Sequence, residues 1–147
     1  MIAQKQIKIV VLEDSEFYNS VLTRQLENFT EEFSLLNNIH FSIQSYTHSE
    51  DCIRNLKEDV DIVFSDYYLG NSITASDILK HMKEKCSLCK FVVLSQTEDE
   101  FIIEKLLSDG AFAVLHKDKD ALSKSCLVIE EILIRFHQKY SEYVIGK

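Results

Sequence analysis

Residues 7–15 read IKIVVLEDS, an apolar run of strand length that stops at the adjacent acids Glu13 and Asp14 and passes into Ser15. A short apolar run with such an abrupt polar end fits a strand buried in a sheet. Ser15 is then a candidate helix N-cap, because its hydroxyl can accept from a backbone N–H one turn further on. Tyr18, Leu22, Leu26 and Phe29 follow at helical spacing and give that helix one apolar face. The stretch therefore encodes a strand and a helix with two carboxylates at their join.

The same unit recurs along the chain. FSIQSY (41–46) alternates as an edge strand with one wet face does, and Thr47 with Glu50 forms a possible capping box for a helix carrying Ile53 and Leu56. VDIVFS (60–65) delivers Asp66, and Thr74 or a neighbour starts a helix whose apolar face is Ala75, Ile78, Leu79 and Met82. FVVLS (91–95) is nearly purely apolar and ends at Ser95; Thr97 to Glu100 reads as a capping box for a helix running to Gly110, a residue suited to the left-handed stop. Ala113 to His116 delivers Lys117, and a last helix carries Leu122, Cys126, Ile129, Leu133, Phe136 and Tyr140. The stretch Thr30 to His40 either extends the first helix or forms a loop. Strands separated by helices predict an α/β fold: five βα units in a doubly wound parallel sheet, with helices on both faces.

Composition narrows the function. The 147 residues fit one domain, and 46% hydrophobic residues can fill its core. A net charge of −8 and a pI near 5.1 argue against nucleic acid as a partner, since binding phosphate backbones needs clustered Lys and Arg. No apolar run approaches the ~18 residues of a membrane span, and Met1 to Lys8 lacks a signal-peptide core. The expectation is a cytoplasmic protein with no membrane partner. Cys86 and Cys89 have the spacing of half a zinc knuckle, but a second pair of ligands is missing. Reduced, partly buried thiols are expected there and at Cys52 and Cys126. The histidines, at 40, 48, 81, 116 and 137, form no metal-ligand spacing.

Parallel strands deliver their C-terminal ends to one edge, where ligands of open α/β sheets bind. Glu13, Asp14, Asp66, Ser95 and Lys117 all fall there. Clustered carboxylates are costly without a cation, and Mg²⁺ suits them because it takes hard oxygen ligands and keeps waters that a phosphoryl oxygen can replace. Lys117 adds a mobile positive charge and Ser95 a hydroxyl donor. With these around it, one carboxylate becomes a competent nucleophile towards phosphorus, and on a central third strand that carboxylate is Asp66. Taken singly, an acid after a strand often only caps a helix, and a lone Ser or Lys is ordinary. The ordered set carries the chemistry.

Over residues 5–140 the chain resembles the receiver domain of two-component response regulators. VVLEDS, DIVFSDYYLG, VVLSQ and GAFAVLHKD carry the resemblance. It implies a flavodoxin-like (βα)5 sheet of order 2-1-3-4-5, with Asp66 accepting a phosphoryl group from a histidine kinase or phosphotransfer protein. Glu13, Asp14, Asp66 and the backbone carbonyl of Tyr68 would hold Mg²⁺, and Lys117 and Ser95 would serve the phosphoryl group. Output would pass through protein contacts to a downstream partner, or through a homodimer formed by the fourth helix, fifth strand and fifth helix, where Leu127 and Ile134 lie off the apolar stripe. Residues 141–147 are expected as a short tail with no output domain. The chain departs from the family pattern at Val114, usually aromatic; at Asp118, often a cis-proline; at Gln96, usually small; at Gly70, often proline; and at the bulky Tyr68, which could hinder an attacking water. The chemistry expected is self-phosphorylation and self-dephosphorylation rather than enzymatic turnover. Two alternatives remain: a binding module that keeps only the fold, and a Mg²⁺-dependent aspartyl phosphatase of the haloacid-dehalogenase kind. The latter class needs an Asp-x-Asp after its first strand, where this chain has Glu13-Asp14-Ser15-Glu16.

Overall fold

A computed structural model of the chain describes residues 5–136, with the side chains of Lys5 and Phe136 excepted. The expected packing of Phe136 and Tyr140, the domain limit at residue 140, the tail 141–147 and residues 1–4 lie outside what is described. Elements alternate as β1 (Lys5–Leu12), α1 (Glu16–Asn37), β2 (Ile39–Tyr46), α2 (Ser49–Asn55), β3 (Ile62–Asp66), α3 (Ala75–Lys85), β4 (Lys90–Ser95), α4 (Glu100–Ser108), β5 (Ala113–His116) and α5 (Ala121–Phe136). All strand pairs are parallel, and the sheet order is β2-β1-β3-β4-β5, the expected flavodoxin-like winding.

Alternation along the strands splits the core into two layers. Ile7, Ile9, Val11, Ile62, Phe64, Val92 and Leu94 face α1 and α5, which bring Leu22, Leu26, Ile129, Ile132 and Leu133. Val10, Leu12, Val63, Phe91 and Val93 face the other way, against Cys52 of α2, Ala75, Ile78, Leu79 and Met82 of α3, and Leu106 of α4. Both faces of β1, β3 and β4 are therefore covered, which explains their nearly unbroken apolar sequences. β2 is an edge strand, and its residues from His40 to Tyr46 are all half-buried or exposed.

The stretch from Thr30 resolves as helix. α1 continues to Asn37, Asn38 ends it in the left-handed region at φ 51°, and Ile39 already opens β2. Phe33 stacks edge-on against Phe41 at 6.0 Å and ties the added turns to the strand. Ser15 caps α1 as expected, accepting from the Tyr18 N–H at 3.2 Å. Gly110 closes α4 at φ 117°, also as expected, although Asp99 caps its start, accepting from the Phe101 N–H. The Thr47–Glu50 capping box does not form: α2 begins one residue later than that box requires, with His48 at the N-cap and the Thr47 hydroxyl turned to the His48 ring.

Two of the cysteines differ from expectation. Cys86 and Cys89 are joined in a disulfide, while Cys52 and Cys126 are free and buried. The cause is local: α3 stops at Lys85, and the Cys89 N–H donates back to the Cys86 carbonyl at 3.3 Å, folding the intervening residues into a turn. The missing second pair argues against zinc but places no limit on two sulfurs brought together in this way.

Candidate functional site

The join between β1 and α1 is built from backbone hydrogen bonds around a buried acid. Glu13 is 2% exposed, and its N–H donates to the Tyr46 carbonyl at 3.0 Å, fastening it to the end of the edge strand. The Ser15 N–H donates to Glu13 Oε2 at 3.0 Å. Beneath the turn lies Asn19, also buried, whose Nδ2 donates to the carbonyls of Glu13 (3.2 Å) and Tyr46 (3.0 Å). Thr23 completes its set by donating to Asn19 Oδ1 at 3.2 Å. Asn19 is thus the polar clamp that sets the height of the acidic turn, a role not expected from the sequence. Its signal was an amide three residues before Leu22 and seven before Leu26, a polar side chain on an apolar stripe.

At the end of β3, Asp66 Oδ1 accepts from the Tyr67 N–H at 2.9 Å and from the Lys117 ammonium at 3.0 Å. Lys117 also donates to Glu13 Oε1, so one ammonium bridges two carboxylates. Its side chain is 8% exposed, and the Tyr18 ring lies under it with the centroid 4.4 Å from Nζ, in cation–π geometry. Tyr18, read from the sequence only as packing, is therefore also a wall of the site. Asp14, exposed, completes the acids: one oxygen from each of Glu13, Asp14 and Asp66 lies within 4.8 Å of the others. That spacing is close to the ~4.2 Å across an octahedral Mg²⁺ with ligands at ~2.1 Å. Beside Asp14 a cavity of about 360 Å³ opens, lined by Glu16, Thr47, His48, Leu69 and Gly70 among others.

The charges are out of balance, three acids to one ammonium. Burial pushes Glu13 up to about 7, with Asp66 adding to the rise and the bonds from Lys117 and Ser15 opposing it. Burial likewise raises Asp66, against the pull of Lys117. For Lys117 burial acts downward, but its bonds to both carboxylates outweigh it and hold the ammonium above its usual range. Such a cluster has room for one more positive charge.

Ser95 is buried at the end of β4, one residue beyond the pair Asp66–Leu94, and its carbonyl accepts from the Lys117 N–H at 2.8 Å. Its hydroxyl accepts from the Thr97 N–H at 3.0 Å and makes no bond to Asp66 or Lys117 among the described residues. The backbone thus brings all five strand-end residues to one edge, while the Ser95 hydroxyl is held locally. Tyr68 is 59% exposed and stacks edge-on against Tyr67 at 4.7 Å; its carbonyl accepts no hydrogen bond among the described residues. Gly70 sits at φ 74°, a value closed to proline, so the loop after Asp66 follows a path that the residue usual in receiver domains could not. Gln96 is exposed, Val114 is half-buried against the α3 and α4 layer, and the bond before Asp118 is trans.

No protein-family model matches the chain, and no curated protein does. Solved structures do match. The chain is similar to DrrB, an OmpR/PhoB homolog of Thermotoga maritima, at 18% identity and TM-score 0.70 over 88% of this chain and 54% of that one; it spans about half of DrrB. Against the BeF3-activated receiver domain of DrrB alone the TM-score is 0.72 at 17% identity, covering 88% of this chain and 99% of that domain. A response regulator of Burkholderia pseudomallei, solved with a phosphorylated aspartic acid, a calcium ion and citrate, gives 0.63 at 16% identity over 85% and 71%. The chain has the receiver-domain fold.

Proposed function

We propose that this receiver fold is a working phosphoacceptor module. Asp66 takes a phosphoryl group from the phosphohistidine of a histidine kinase or phosphotransfer protein. The observation that carries the reading is the Lys117 ammonium 3.0 Å from Asp66, on the edge where Glu13 and Asp14 also converge. An Asp66 carboxylate oxygen attacks phosphorus, the P–N bond to the donor imidazole breaks, and the imidazole leaves with the electron pair. Two donors on Asp66 Oδ1 fix the carboxylate plane before reaction. Lys117, already poised between two acids, neutralises charge as the acyl phosphate forms. Ser95 exchanges its local bond for one to a phosphoryl oxygen, which couples the site to the β4–α4 loop.

Glu13, Asp14, Asp66 and the Tyr68 carbonyl would hold Mg²⁺, which supplies charge neutralisation at the phosphoryl oxygens. Hydrolysis of the acyl phosphate by water returns the module to rest, so the chain undergoes self-phosphorylation and self-dephosphorylation rather than turnover of substrate. Output passes by protein contact. Phe101 of α4 and Leu127 and Ile134 of α5 expose apolar surface on the face suited to a downstream partner or a second copy. A net charge of −8 speaks against nucleic acid. No helix among the described residues is long and apolar enough to cross a membrane, and a cytoplasmic location belongs to the same reading.

The test is incubation with Mg²⁺ and acetyl phosphate, followed by intact-mass measurement. A single phosphoryl adduct on wild type and none on Asp66→Ala is expected. No adduct under any condition would favour a binding module that keeps only the fold, and steady turnover of phosphate esters would favour a phosphatase.

A further inference from the structure

At the end of the sheet opposite the acidic edge, α3 turns into β4 through Cys86-Ser87-Leu88-Cys89. Cys86 caps the helix with its N–H on the Met82 carbonyl at 2.6 Å, and the turn sets the two Cα atoms 5.5 Å apart, a separation that disulfides use. Cys86 is 3% exposed and Cys89 partly buried, while Leu88 at the tip of the turn is 84% exposed. An outside reagent can therefore approach Cys89 from the tip and cannot approach Cys86.

The surroundings suit both oxidation states. Cys86 Sγ lies 3.1 Å from the Val60 carbonyl and 3.5 Å from that of Glu58, and Cys89 Sγ lies 2.7 Å from the Val60 carbonyl. If the bond opens, each new S–H already has an acceptor in reach, so reduction leaves no buried donor without a partner. The other two thiols are poor competitors. Cys52 is buried and pushed up to about 12 by that burial, and burial raises Cys126 as well, whereas exchange needs the thiolate.

We propose that Cys86 and Cys89 form a reversible thiol–disulfide site, opened by small thiols and closed by small disulfides. A small thiolate attacks Cys89 Sγ; a mixed disulfide forms there as the Cys86–Cys89 bond breaks, and the electron pair leaves on the Cys86 sulfur, which takes a proton from water. A second small thiolate attacks the small-molecule sulfur of the mixed disulfide and releases Cys89, which is protonated in turn. Two thiols become one small disulfide while the protein gains two electrons and two protons. The reverse sequence closes the pair. In reducing compartments this transient behaviour is the usual form a disulfide takes.

The test equilibrates the full chain, without denaturant, in buffers spanning a range of reduced to oxidised glutathione, from both directions. The protein is then acid-quenched, unfolded, alkylated and weighed. With four cysteines in the chain, the expected result is four alkyl groups at the reducing end and two at the oxidising end. The midpoint should be the same from either direction, and peptide mapping should join Cys86 to Cys89. Four groups at every ratio, two at every ratio, a glutathione adduct without the internal bond, or a bond mapped to Cys52 or Cys126 would each overturn the proposal.

Discussion

Lys117→Met keeps most of the lysine stem and deletes the positive charge that bridges Glu13 and Asp66. In wild type the side chains of Lys117, Glu13 and Asp66 are 8%, 3% and 13% exposed, so the removed charge is a buried partner. Deleting one member of a buried pair costs about 3–5 kcal/mol, because the other is left charged in poor solvent. Here the site can relieve itself by taking up a proton. Glu13 already titrates near 7 instead of 4.5, with burial the leading cause and Lys117 holding it down in part. A folded pKa above the unfolded one means that Glu13's contribution to stability is complete below about pH 4.5 and is lost as pH rises through about 7. That displacement is worth roughly 3 kcal/mol. Without Lys117 the folded pKa climbs further and the loss continues to higher pH. The deficit of the variant should therefore grow from about 1–2 kcal/mol at pH 5 to about 3–5 kcal/mol at pH 8 in metal-free buffer. Urea titrations followed by far-UV circular dichroism suit a chain without Trp. Added Mg²⁺ should recover part of the deficit at pH 8. A variant within about 1 kcal/mol of wild type at pH 8, or one hurt more at pH 5 than at pH 8, would refute this account of the charge balance.

Three further outcomes follow from the same geometry. Asn19→Ala strips hydrogen bonds from the Glu13 and Tyr46 carbonyls and should cost about 2 kcal/mol, with weaker Mg²⁺ binding by calorimetry; unchanged stability and affinity would contradict the clamp. Tyr18→Leu should lose about 0.5–2 kcal/mol and slow phosphorylation by acetyl phosphate, while Tyr18→Phe, which keeps the ring under Lys117, should lose little; equal behaviour of the two would remove Tyr18 from the site. Dephosphorylation of Tyr68→Asn should run at a different rate from wild type, since the bulky, exposed ring stands two residues from Asp66, and identical rates would sink that role.

The winding of the sheet was legible because burial leaves a mark on sequence. FVVLS fits a strand covered on both faces, and the apolar–polar alternation that opens Phe41 to Tyr46 fits a strand at the edge. The five strand-end residues were legible for the same reason, each lying within two residues of the end of an apolar run. What escaped depended on rotation and reach rather than on pattern. Leu35 and Leu36 are 84% and 74% exposed, so the extension of α1 carries no clean stripe to announce it. Tyr18 and Asn19 are neighbours at a helix start, and which of them faces inward depends on the phase set by the cap at Ser15. Both turned out to serve the site. The local bond that the Ser95 hydroxyl accepts from the Thr97 N–H depends on the turn after β4, which residue order does not show. The disulfide needed the stop of α3 at Lys85, a boundary that the run Lys83-Glu84-Lys85 does not reveal.

Peptide mass mapping of protein treated with acetyl phosphate and Mg²⁺ tests the central claim most directly. One phosphoryl group on the peptide that contains Asp66, dependent on Mg²⁺ and absent from Asp66→Ala, is the predicted result. A phosphoryl group carried instead on Ser95 or on a histidine, or none at all on protein shown to be folded, would contradict it.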